Sequence, residues 1–400
     1  MGVRSAWARH RARHSPTELG FLLSDGIDYV DAARWDALAA ARGVLMSRPY
    51  LRLVETDGPQ SIEPRYAMIF RGEKAVAALV AQQVTISGKR LVPKARNPGL
   101  LQRAARKATE ASLAGLEERM LLCGNLLSWG PFGIAMAPDE APAAIWPGVA
   151  EALYRLRRAD RLSGDSDFVM VKDLPGQSAD AEALRTFSYR PLETEPNMVL
   201  ALDPAWKTFD DYLGGLNKKY RKTAKEIVDK VAGGGVTMEP LADVSAKADE
   251  IHALYLQVHE RAAFRVNTLE PGFIPGLQRT FGDRFRCTVA RRGDRLVGFI
   301  TTLSDGETAI GYFVGFDSAT NGEVPIYFRL LYQAVGDAIA LGARRLSLGR
   351  TALEPKARLG ARPEPLSCWV RHRVPAMNLI VRALLHANDP DDAPERNPFK

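Results

Sequence analysis

The chain has 400 residues, enough for two domains of ordinary size, and its 46% apolar and 25% charged residues are typical of globular proteins. The net charge of +7 fits a phosphate-bearing partner, and it fits an arginine-rich proteome without such a partner equally well. No apolar run is long enough for a membrane helix, since the longest candidate is interrupted by Asp337. Cys123, Cys287 and Cys368 lie far apart without metal-ligand spacing, which argues against a disulfide framework or a metal site and predicts a cytoplasmic location.

The N-terminal segment, residues 1–25, begins "MGVRSAWARHRARHSP" and has four arginines but no acidic residue before Glu18. It lacks the apolar core of a secretory signal. We predict a basic, disordered arm. An arginine-rich transit peptide and a misplaced start codon are the alternatives.

Residues 26–203 have the mixed pattern of a domain that contains both helices and strands. "DYVDAARWDALAAARG" predicts a helix that ends at Gly43, and the apolar runs around Arg71-Gly72-Glu73-Lys74 predict a hairpin. "RMLLCGNLLSWGPFGIAM" predicts a strand that breaks at Gly130-Pro131. The next elements are a helix, a strand, a short helix and a strand: "AAIWPGVAEALYRLRRADR", "SDFVMVKDLP", "DAEALRTFSY" and "MVLALD".

Residues 204–385 repeat this pattern after a boundary near Asp203-Pro204. Three helices are predicted first, in "YLGGLNKKYRKTAKEIVDKVAGGG", "AKADEIHALYLQVHERA" and "PGFIPGLQRTFGD". Three strands follow, with turns at Arg292-Gly293-Asp294 and Asp305-Gly306, and then a loop, a helix and the strand "RRLSLGR". Each half therefore offers a hairpin, a strand, a loop, a helix and a strand, which predicts two copies of one fold. Residues 386–400 are predicted to be a polar tail.

Several stretches resemble a known family. They are "FDDYLGGLNKKYRKTAKE", "RLVGFITTLSDGETAIGYFVGFD", "YFRLLYQAVGDAIALGARRLSLGRTALEPKARLGA" and, in the first half, "CGNLLSWGPFG". The chain resembles two-domain, FemAB-like proteins of the GNAT acetyltransferase superfamily, including CelD/BioF-like acetyltransferases. The resemblance implies an α+β protein with two tandem GNAT-like domains, each a mixed, mainly antiparallel sheet flanked by helices. It also implies that the first domain is degenerate and that the second holds the acyl donor.

In that superfamily a strand splays at a bulge, and backbone N–H groups of the next loop and helix hold the coenzyme A pyrophosphate. The resemblance thus implies a donor site at Gly315, Asn321 and Gly322. The loop "DSATNGEVP" departs from the usual glycine-rich pattern, and Glu323 places a negative charge where phosphates would lie. Acetyl-CoA, a longer acyl-CoA and aminoacyl-tRNA therefore remain alternative donor substrates, and no tightly bound cofactor is expected.

Acyl transfer to an amine needs acid–base groups near the open strand ends. Tyr312 precedes the loop, Asp317 begins it, and Tyr327 lies in the first turn of the following helix. We predict these three as catalytic residues. The alternative for each tyrosine is a half-buried place in the core.

The segment "GRTALEPKARLG" follows the last predicted strand, where α/β folds tend to bind ligands. Arg350 and Lys356 are predicted to hold a phosphate or carboxylate of the donor. The alternative is a solvated basic loop.

The acceptor site is predicted from three residues. His259 and Arg265 lie in "LQVHERAAFRVN", and Asn125 lies in the first-half loop that carries the family resemblance. A lone helical histidine is also common as a purely structural residue. A run of five cations between Lys218 and Lys225 predicts either a solvated helix face or, if the donor is a tRNA, a nucleic-acid contact.

These features together predict an N-acyltransferase that moves an acyl or aminoacyl group from an activated carrier to an amine. The acceptor would be a small polar amine or a cell-wall precursor, in cell-envelope or polysaccharide metabolism. The alternative is a catalytically inactive binding protein on the same fold.

Overall fold

A computed structural model describes residues 15–87, 117–176, 179–261, 267–374, 378, 394 and 396–399. These residues form two compact units. The first unit takes its described residues from Met1–Glu55, Gln60–Thr194 and Pro365–Asp391. The second takes them from Thr56–Pro59, Glu195–Glu364 and Asp392–Lys400.

The strands and helices are numbered in chain order. The strands are β1 Gly20–Ser24, β2 Glu63–Arg71, β3 Lys74–Ser87, β4 Glu117–Cys123, β5 Ile134–Met136, β6 Phe168–Pro175, β7 Arg190–Ala201, β8 Val236–Pro240, β9 Phe285–Arg292, β10 Arg295–Asp305, β11 Thr308–Phe316, β12 Arg345–Ser347 and β13 Arg362–His372. The α-helices are α1 Ala32–Ala39, α2 Arg48–Asp57, α3 Pro142–Ala159, α4 Phe209–Gly215, α5 Lys218–Gly233, α6 Ala248–His259, α7 Phe273–Phe281, α8 Ser318–Glu323, α9 Ile326–Ala340 and α10 Leu353–Arg358. Short 3-10 helices cover Ile27–Tyr29, Val44–Met46, Asp160–Ser163, Ala179–Phe187, Ser245–Lys247 and Gly282–Arg284.

The first unit is built on a sheet with the strand order β1-β2-β3-β4-β6-β13. Strands β1 to β4 form an antiparallel meander, β4 and β6 run parallel, and β6 and β13 run antiparallel. The short strand β5 pairs with β3 beyond the end of β4. Helix α3 makes the crossover between the parallel strands and buries Ile145, Trp146, Val149 and Leu153 in the core of this unit.

The second unit repeats the same plan in the order β8-β9-β10-β11-β12-β7. Strands β8 to β11 form the meander, β11 and β12 run parallel, and β12 pairs antiparallel with β7. Helix α9 makes the crossover, and its buried Ile326, Leu330 and Val335 join the core of this unit. The shared plan agrees with the predicted α+β class and with two domains that repeat one fold.

The last strand of each sheet does not follow directly from the rest of its unit. Strand β13 lies after the whole second half, yet from Pro365 onward it belongs to the first unit and pairs with β6. Strand β7 precedes the second half, and its residues from Glu195 belong to the second unit. The predicted boundary near Asp203-Pro204 lies just after β7. A single boundary at that position does not separate the strands of the two units, because β7 precedes it and β13 follows it.

Local signals set the ends of several helices and hairpins. Asp31 caps α1 by accepting a hydrogen bond from the Arg34 N–H, and Thr208 and Asp211 form a capping box at α4. The hairpins β2–β3, β9–β10 and β10–β11 turn at the predicted glycines. Within the described residues, no helix has both the length and the apolarity needed to cross a bilayer.

Several segments differ from the prediction, and helix α2 and strands β8 and β13 were not predicted. Residues 20–24, assigned to the basic arm, form strand β1, whereas residues 1–14 lie outside the described part of the chain. The predicted loops after β11 and β12 each contain a short helix, α8 and α10. The polar tail also contributes an apolar contact, because Phe399 packs against Trp206 and Tyr212 in the second unit.

Candidate functional site

The parallel strands β11 and β12 separate soon after they meet. They pair only between Thr308–Ile310 and Arg345–Ser347. Strand β12 then ends, whereas β11 continues to Phe316. Within the described residues, Gly311–Phe316 therefore has no strand partner on its β12 edge. We call the opening between Gly311–Phe316 and the segment Leu348–Arg350 the fork.

A β-bulge lies in β11 beside the fork. The register against β10 shifts between Ile300 and Thr302, so that Tyr312 and Phe313 both lie opposite Thr301. The Thr301 hydroxyl is fully buried, accepts the Phe313 N–H at 2.9 Å and lies 3.3 Å from the Phe313 carbonyl. A side chain thus replaces the ladder bond at the bulge.

The bulge sets which backbone groups point into the fork. The Phe313 N–H donates to Thr301, and the Asp317 N–H donates to the Val297 carbonyl at 2.9 Å, so both point toward β10. Since backbone N–H groups alternate between the two edges of a strand, those of Val314 and Phe316 face the fork. The open edge therefore presents amide donors to whatever enters it.

Asp317, a predicted catalytic residue, acts as the N-cap of α8. Its carboxylate accepts hydrogen bonds from the Thr320 N–H at 2.9 Å and the Thr320 hydroxyl, and it pairs with Arg295 at 3.0 Å. The hydroxyl bond of Thr320 is the main reason that the pKa of Asp317 is lowered. This geometry favours a capping role, and a catalytic role for Asp317 stays a prediction.

Helix α9 begins where the family resemblance places the coenzyme pyrophosphate, but protein groups already occupy its first amides. The Ile326 N–H donates to the Val324 carbonyl at 2.7 Å, and the Tyr327 N–H donates to Asn321 Oδ1 at 2.9 Å. Asn321, a predicted donor-binding residue, thus occupies a donor that a phosphate would need. A pyrophosphate could use this amide only after the Asn321 side chain moves.

Glu323 and Gly322 lie in the same loop and have different surroundings. Glu323 forms an ion pair with Arg292 at 2.8 Å, so its negative charge is compensated by protein. Gly322, the other predicted donor-binding glycine of the loop, is exposed, and a Cβ added there would meet no atom within 4 Å. Neither residue closes the loop to a ligand.

Gly315, also predicted to bind the donor, is buried where β11 meets helix α6. A Cβ at this position would lie 2.4 Å from the Phe299 ring and 2.6 Å from backbone atoms of Leu254 and Tyr255. The absence of a side chain at Gly315 therefore allows α6 to lie directly on the bulged strand. Its contribution to donor binding remains a prediction.

The two predicted catalytic tyrosines have different surroundings. Tyr312 is buried at the bulge, with its ring 4.2 Å from that of Phe313. Tyr327 is half-buried against Phe316, and burial raises the pKa of its hydroxyl to about 12. At neutral pH the Tyr327 hydroxyl stays protonated and is therefore a proton donor rather than a base.

The turn after β12 is held in a strained conformation. Gly349, Thr351 and Ala352 all have left-handed backbones, with φ of 76°, 62° and 47°. Lys356 stabilises the turn, since its Nζ donates to the carbonyls of Gly349 at 3.1 Å and Arg350 at 2.5 Å. Strained turns of this kind concentrate at binding and catalytic sites.

Lys356 is itself buried, with 5% of its surface exposed, and burial lowers the pKa of its amine to about 7. A neutral amine has two N–H groups, which match the two carbonyls that it contacts. The structure thus gives Lys356 a task that the sequence did not indicate: it fixes the turn that carries Arg350. Direct anion binding by Lys356 and Arg350 stays a prediction.

Two residues of β7 support the same turn and were missed in the sequence. Asn197 Oδ1 lies 3.1 Å from both the Ser347 hydroxyl and the Gly349 N–H, and both can donate to it. The Glu195 carboxylate accepts the Thr351 N–H at 3.2 Å. No local pattern marks these residues, because their partners lie about 150 positions away in the chain.

His259, predicted to bind the acceptor, lies at the end of α6. Its Nδ1 is 3.1 Å from the Tyr255 hydroxyl, and its Nε2 is 3.1 Å from the Thr268 hydroxyl. The ring of Tyr255 in turn meets that of Phe313 at the bulge, with centroids 6.4 Å apart. The structure therefore brings His259 to the same side of β11 as Phe313.

The structure does not place the other two predicted acceptor residues, Arg265 and Asn125, beside His259. Arg265 lies outside the described residues. Asn125 lies in the first unit, where it is buried, donates to the Tyr50 hydroxyl at 2.8 Å and accepts the Leu127 N–H at 2.8 Å. These bonds give Asn125 a structural role in its loop. Across the described part of the chain, no group of three or more histidine, cysteine, aspartate or glutamate residues could hold a metal ion.

Comparisons with known proteins agree with this geometry. Residues 217–357, which lie within the second unit, match the model of the acetyltransferase (GNAT) domain. The fold is similar to that of FemX, with 9% identity, 88% of this chain and 98% of that chain covered, and a TM-score of 0.52. It is also similar to a tandem GNAT protein from the clavulanic acid biosynthesis pathway, with 12% identity, 89% and 98% covered, and a TM-score of 0.51. A search of curated proteins returned no match. At these identities the likeness to solved structures shows the fold alone.

Proposed function

We propose that the second unit catalyses N-acyl transfer from an activated carrier to an amine of a polar acceptor. The observation that carries this proposal is the fork, with a bulged strand whose Val314 and Phe316 amides face an open edge. Membership of the FemAB-like or CelD/BioF-like group is part of the same proposal. The GNAT domain match supports the reaction class.

The fork supplies hydrogen-bond donors for the negative charge that develops in the transition state of acyl transfer. As the amine nitrogen attacks the acyl carbon, negative charge develops on the carbonyl oxygen. An amide fixed on a rigid strand can stabilise that charge without reorganising. The Val314 N–H is next to the bulge, so we assign it as the principal oxyanion donor.

The remaining steps are proton transfers. The new N–C bond forms, and the bond from the acyl carbon to the sulfur or oxygen of the carrier breaks. The carrier takes one proton, which the Tyr327 hydroxyl can provide because its raised pKa keeps it protonated. The amine loses one proton, and we assign His259 as its acceptor, directly or through water, because His259 contacts Tyr255 and Tyr255 contacts Phe313 at the bulge. No covalent intermediate is needed, since the three cysteines are free but buried.

Two features of the second unit bear on which acyl donor it uses. The amides of Ile326 and Tyr327 are occupied, which argues against an unaltered acetyl-CoA pyrophosphate grip. The exposed lysines 218, 219, 222 and 225 of α5 support the aminoacyl-tRNA alternative. For the acceptor, a polar amine of cell-envelope or polysaccharide metabolism is the proposed class.

The test is a donor-by-acceptor assay with the full chain. Acetyl-CoA, a longer acyl-CoA and an aminoacyl-tRNA are each incubated with a panel of polar amines, and products are identified by mass spectrometry. We expect one donor to give an amide product. Tyr327→Phe should lower kcat about 10²-fold if the hydroxyl is the general acid. Unchanged turnover of this variant would remove Tyr327 from the mechanism.

A catalytically inactive binding protein is the second candidate, and the occupied α9 amides favour it. It predicts that a donor raises the Tm by mass action without any product forming. If no donor shifts the Tm and no product appears, acyl transfer by this chain is excluded for the donors tested.

A further inference from the structure

The first unit contains a cavity of about 310 Å³ that the proposed reaction does not use. It lies between the loop that precedes β5, the strand β5 itself, the first turns of α3 and the end of β6. Arg42 stands at its edge. All of its lining residues belong to the first unit.

The position of the cavity in the topology is that of a ligand site. Strands β4 and β6 are the parallel pair of the first unit, and α3 is their crossover helix. The cavity lies beside Lys172 and Leu174 near the carboxyl end of β6 and beside the first turns of α3. Open α/β sheets bind ligands at this end of their strands, where a helix N-terminus adds partial positive charge.

The wall of the cavity is held by a buried ion pair. Asp173 is fully buried, has a left-handed φ of 60°, and accepts the Gly130 N–H at 3.0 Å. Lys172 donates to the Ser128 carbonyl at 2.7 Å and forms an ion pair with Asp173. These bonds fix the loop whose residues Pro131 and Gly133 line the cavity.

Of the charged side chains that line the cavity, Arg42 is the one without an ion-pair partner among the described residues. Glu140 is compensated by Arg71 at 3.0 Å, and Lys172 is compensated by Asp173. Within the described residues, the Arg42 guanidinium has no carboxylate partner. The lining is otherwise mainly apolar, formed by residues such as Ile134, Met136, Trp146 and Leu174.

Trp146 adds a second polar signal. It is 4% exposed, and its indole N–H has no hydrogen-bond partner in the described part of the chain. A buried donor without an acceptor is unfavourable, so this position would gain from an oxygen atom brought in by a ligand after a small movement of the ring.

We propose that this cavity binds a compact organic carboxylate, with its apolar body against Ile134 and Leu174 and its carboxylate oxygens toward Arg42 and the indole N–H of Trp146. At about 30 Å³ for each liquid-packed non-hydrogen atom, the volume suits a ligand of about ten such atoms. The site is independent of the fork, and the proposal does not rest on acyl transfer.

Octanoate, which has the required size and charge, is the probe for this site. Isothermal titration calorimetry on the full chain compares octanoate with octanamide, its uncharged analogue. We expect saturable binding of octanoate at one site and about tenfold weaker binding of octanamide, because a charge-assisted hydrogen bond to Arg42 is lost. Absence of octanoate binding, or equal binding of the two probes, would overturn the proposal.

Variants then locate the site. Arg42→Gln should abolish the preference for octanoate, whereas Arg34→Gln, an exposed arginine of the same unit outside the cavity lining, should preserve it. Ala137→Leu should block binding by filling the cavity. If a folded Ala137→Leu protein still binds octanoate, or if Arg42→Gln keeps the preference, the assignment is wrong. Should Ala137→Leu fail to fold, the two arginine variants decide the matter.

Discussion

The two units build the same point of their common topology in different ways. In the second unit, β11 runs past β12 with a bulge of Tyr312 and Phe313 opposite Thr301. In the first unit, β4 stops at Cys123, and β5 resumes the pairing with β3 after an intervening loop. Val80 closes that loop, since it accepts the Gly124 N–H and donates to the Gly133 carbonyl, each at 2.9 Å.

The open strand edge depends on where the two parallel strands of each unit separate. Strand β4 pairs with β6 up to its last residue, Cys123, so the parallel pair of the first unit has no fork. Strand β11 leaves its parallel partner after Ile310. A small bulge gives an open strand edge with amide donors, whereas a longer insertion gives a loop and a cavity. The same fold therefore offers two kinds of site.

The largest expected effect comes from removing the open-edge amide. Val314→Pro deletes the N–H that faces the fork but no bond to β10, so the sheet should be retained. We expect kcat to fall about 10²–10³-fold, the range for the loss of one oxyanion donor. Steady-state kinetics on the donor and acceptor pair identified above provides the measurement.

Two controls sharpen this test. Val314→Ala keeps the N–H and should retain most of the activity. Met136→Pro removes the corresponding outward N–H of β5 in the first unit and should leave turnover unchanged. If Val314→Pro were as active as Val314→Ala in a folded protein, the oxyanion assignment would fail.

The next effect concerns the buried Lys356 of the second unit. Burial lowers the pKa of Lys356 from 10.5 to about 7 in the folded protein, so the unfolded chain binds the extra proton between these values. The free energy of unfolding should therefore rise with pH from about 7 toward 10.5, by at most about 5 kcal/mol. Urea titrations at pH 7.0, 8.0 and 9.5 would measure this slope.

Lys356→Met serves as the matched variant, because its side chain has similar length and no charge. The part of the pH slope that belongs to Lys356 should disappear in it. An identical slope in both proteins would show that the amine of Lys356 is not the titrating group.

Glycine substitutions compare the packing at the bulge of the second unit with the packing at the β4–β5 loop of the first unit. Gly315→Ala would place a Cβ 2.6 Å from backbone atoms of α6, and Gly133→Ala would place one 2.8 Å from Gly124. We expect a loss of about 2–3 kcal/mol for the first and about 1–2 kcal/mol for the second by urea unfolding. Gly322→Ala, with no atom within 4 Å, is the control and should not destabilise the protein. Equal stability of all three variants would contradict the close approach at both glycines.

The smallest expected effect concerns the helix caps. Asp317 is buried and also paired with Arg295, whereas Asp31 caps α1 at the surface. Asp317→Ala should cost about 1–2 kcal/mol and Asp31→Ala about 0.5–1 kcal/mol. A pH–rate profile of Asp317→Ala that lost its acidic limb would instead identify Asp317 as a catalytic base.

The sequence predicted the elements whose signals are local. The turns at Gly72, Gly293 and Gly306, the apolar faces of α3 and α9, and the two-copy architecture all follow from short-range patterns. Helices α8 and α10 were not predicted because each has only six residues, too few to show an amphipathic period. The Asp317 cap of α8 is a local signal, whereas the Ala352 N-cap of α10 makes no side-chain hydrogen bond. The support of Gly349 by Asn197 and the fixing of the turn by Lys356 are tertiary contacts that no spacing rule encodes.

The late position of β13 in the chain has a consequence for synthesis. Strand β6 receives its second partner, β13, only when residues 365–372 have been made, which is after the entire second half. Until then the nascent first unit exposes one edge of β6, with unpaired backbone groups that can join another chain. A ribosome that stalls before residue 365 would therefore release a product prone to self-association, although most of both cores is already encoded.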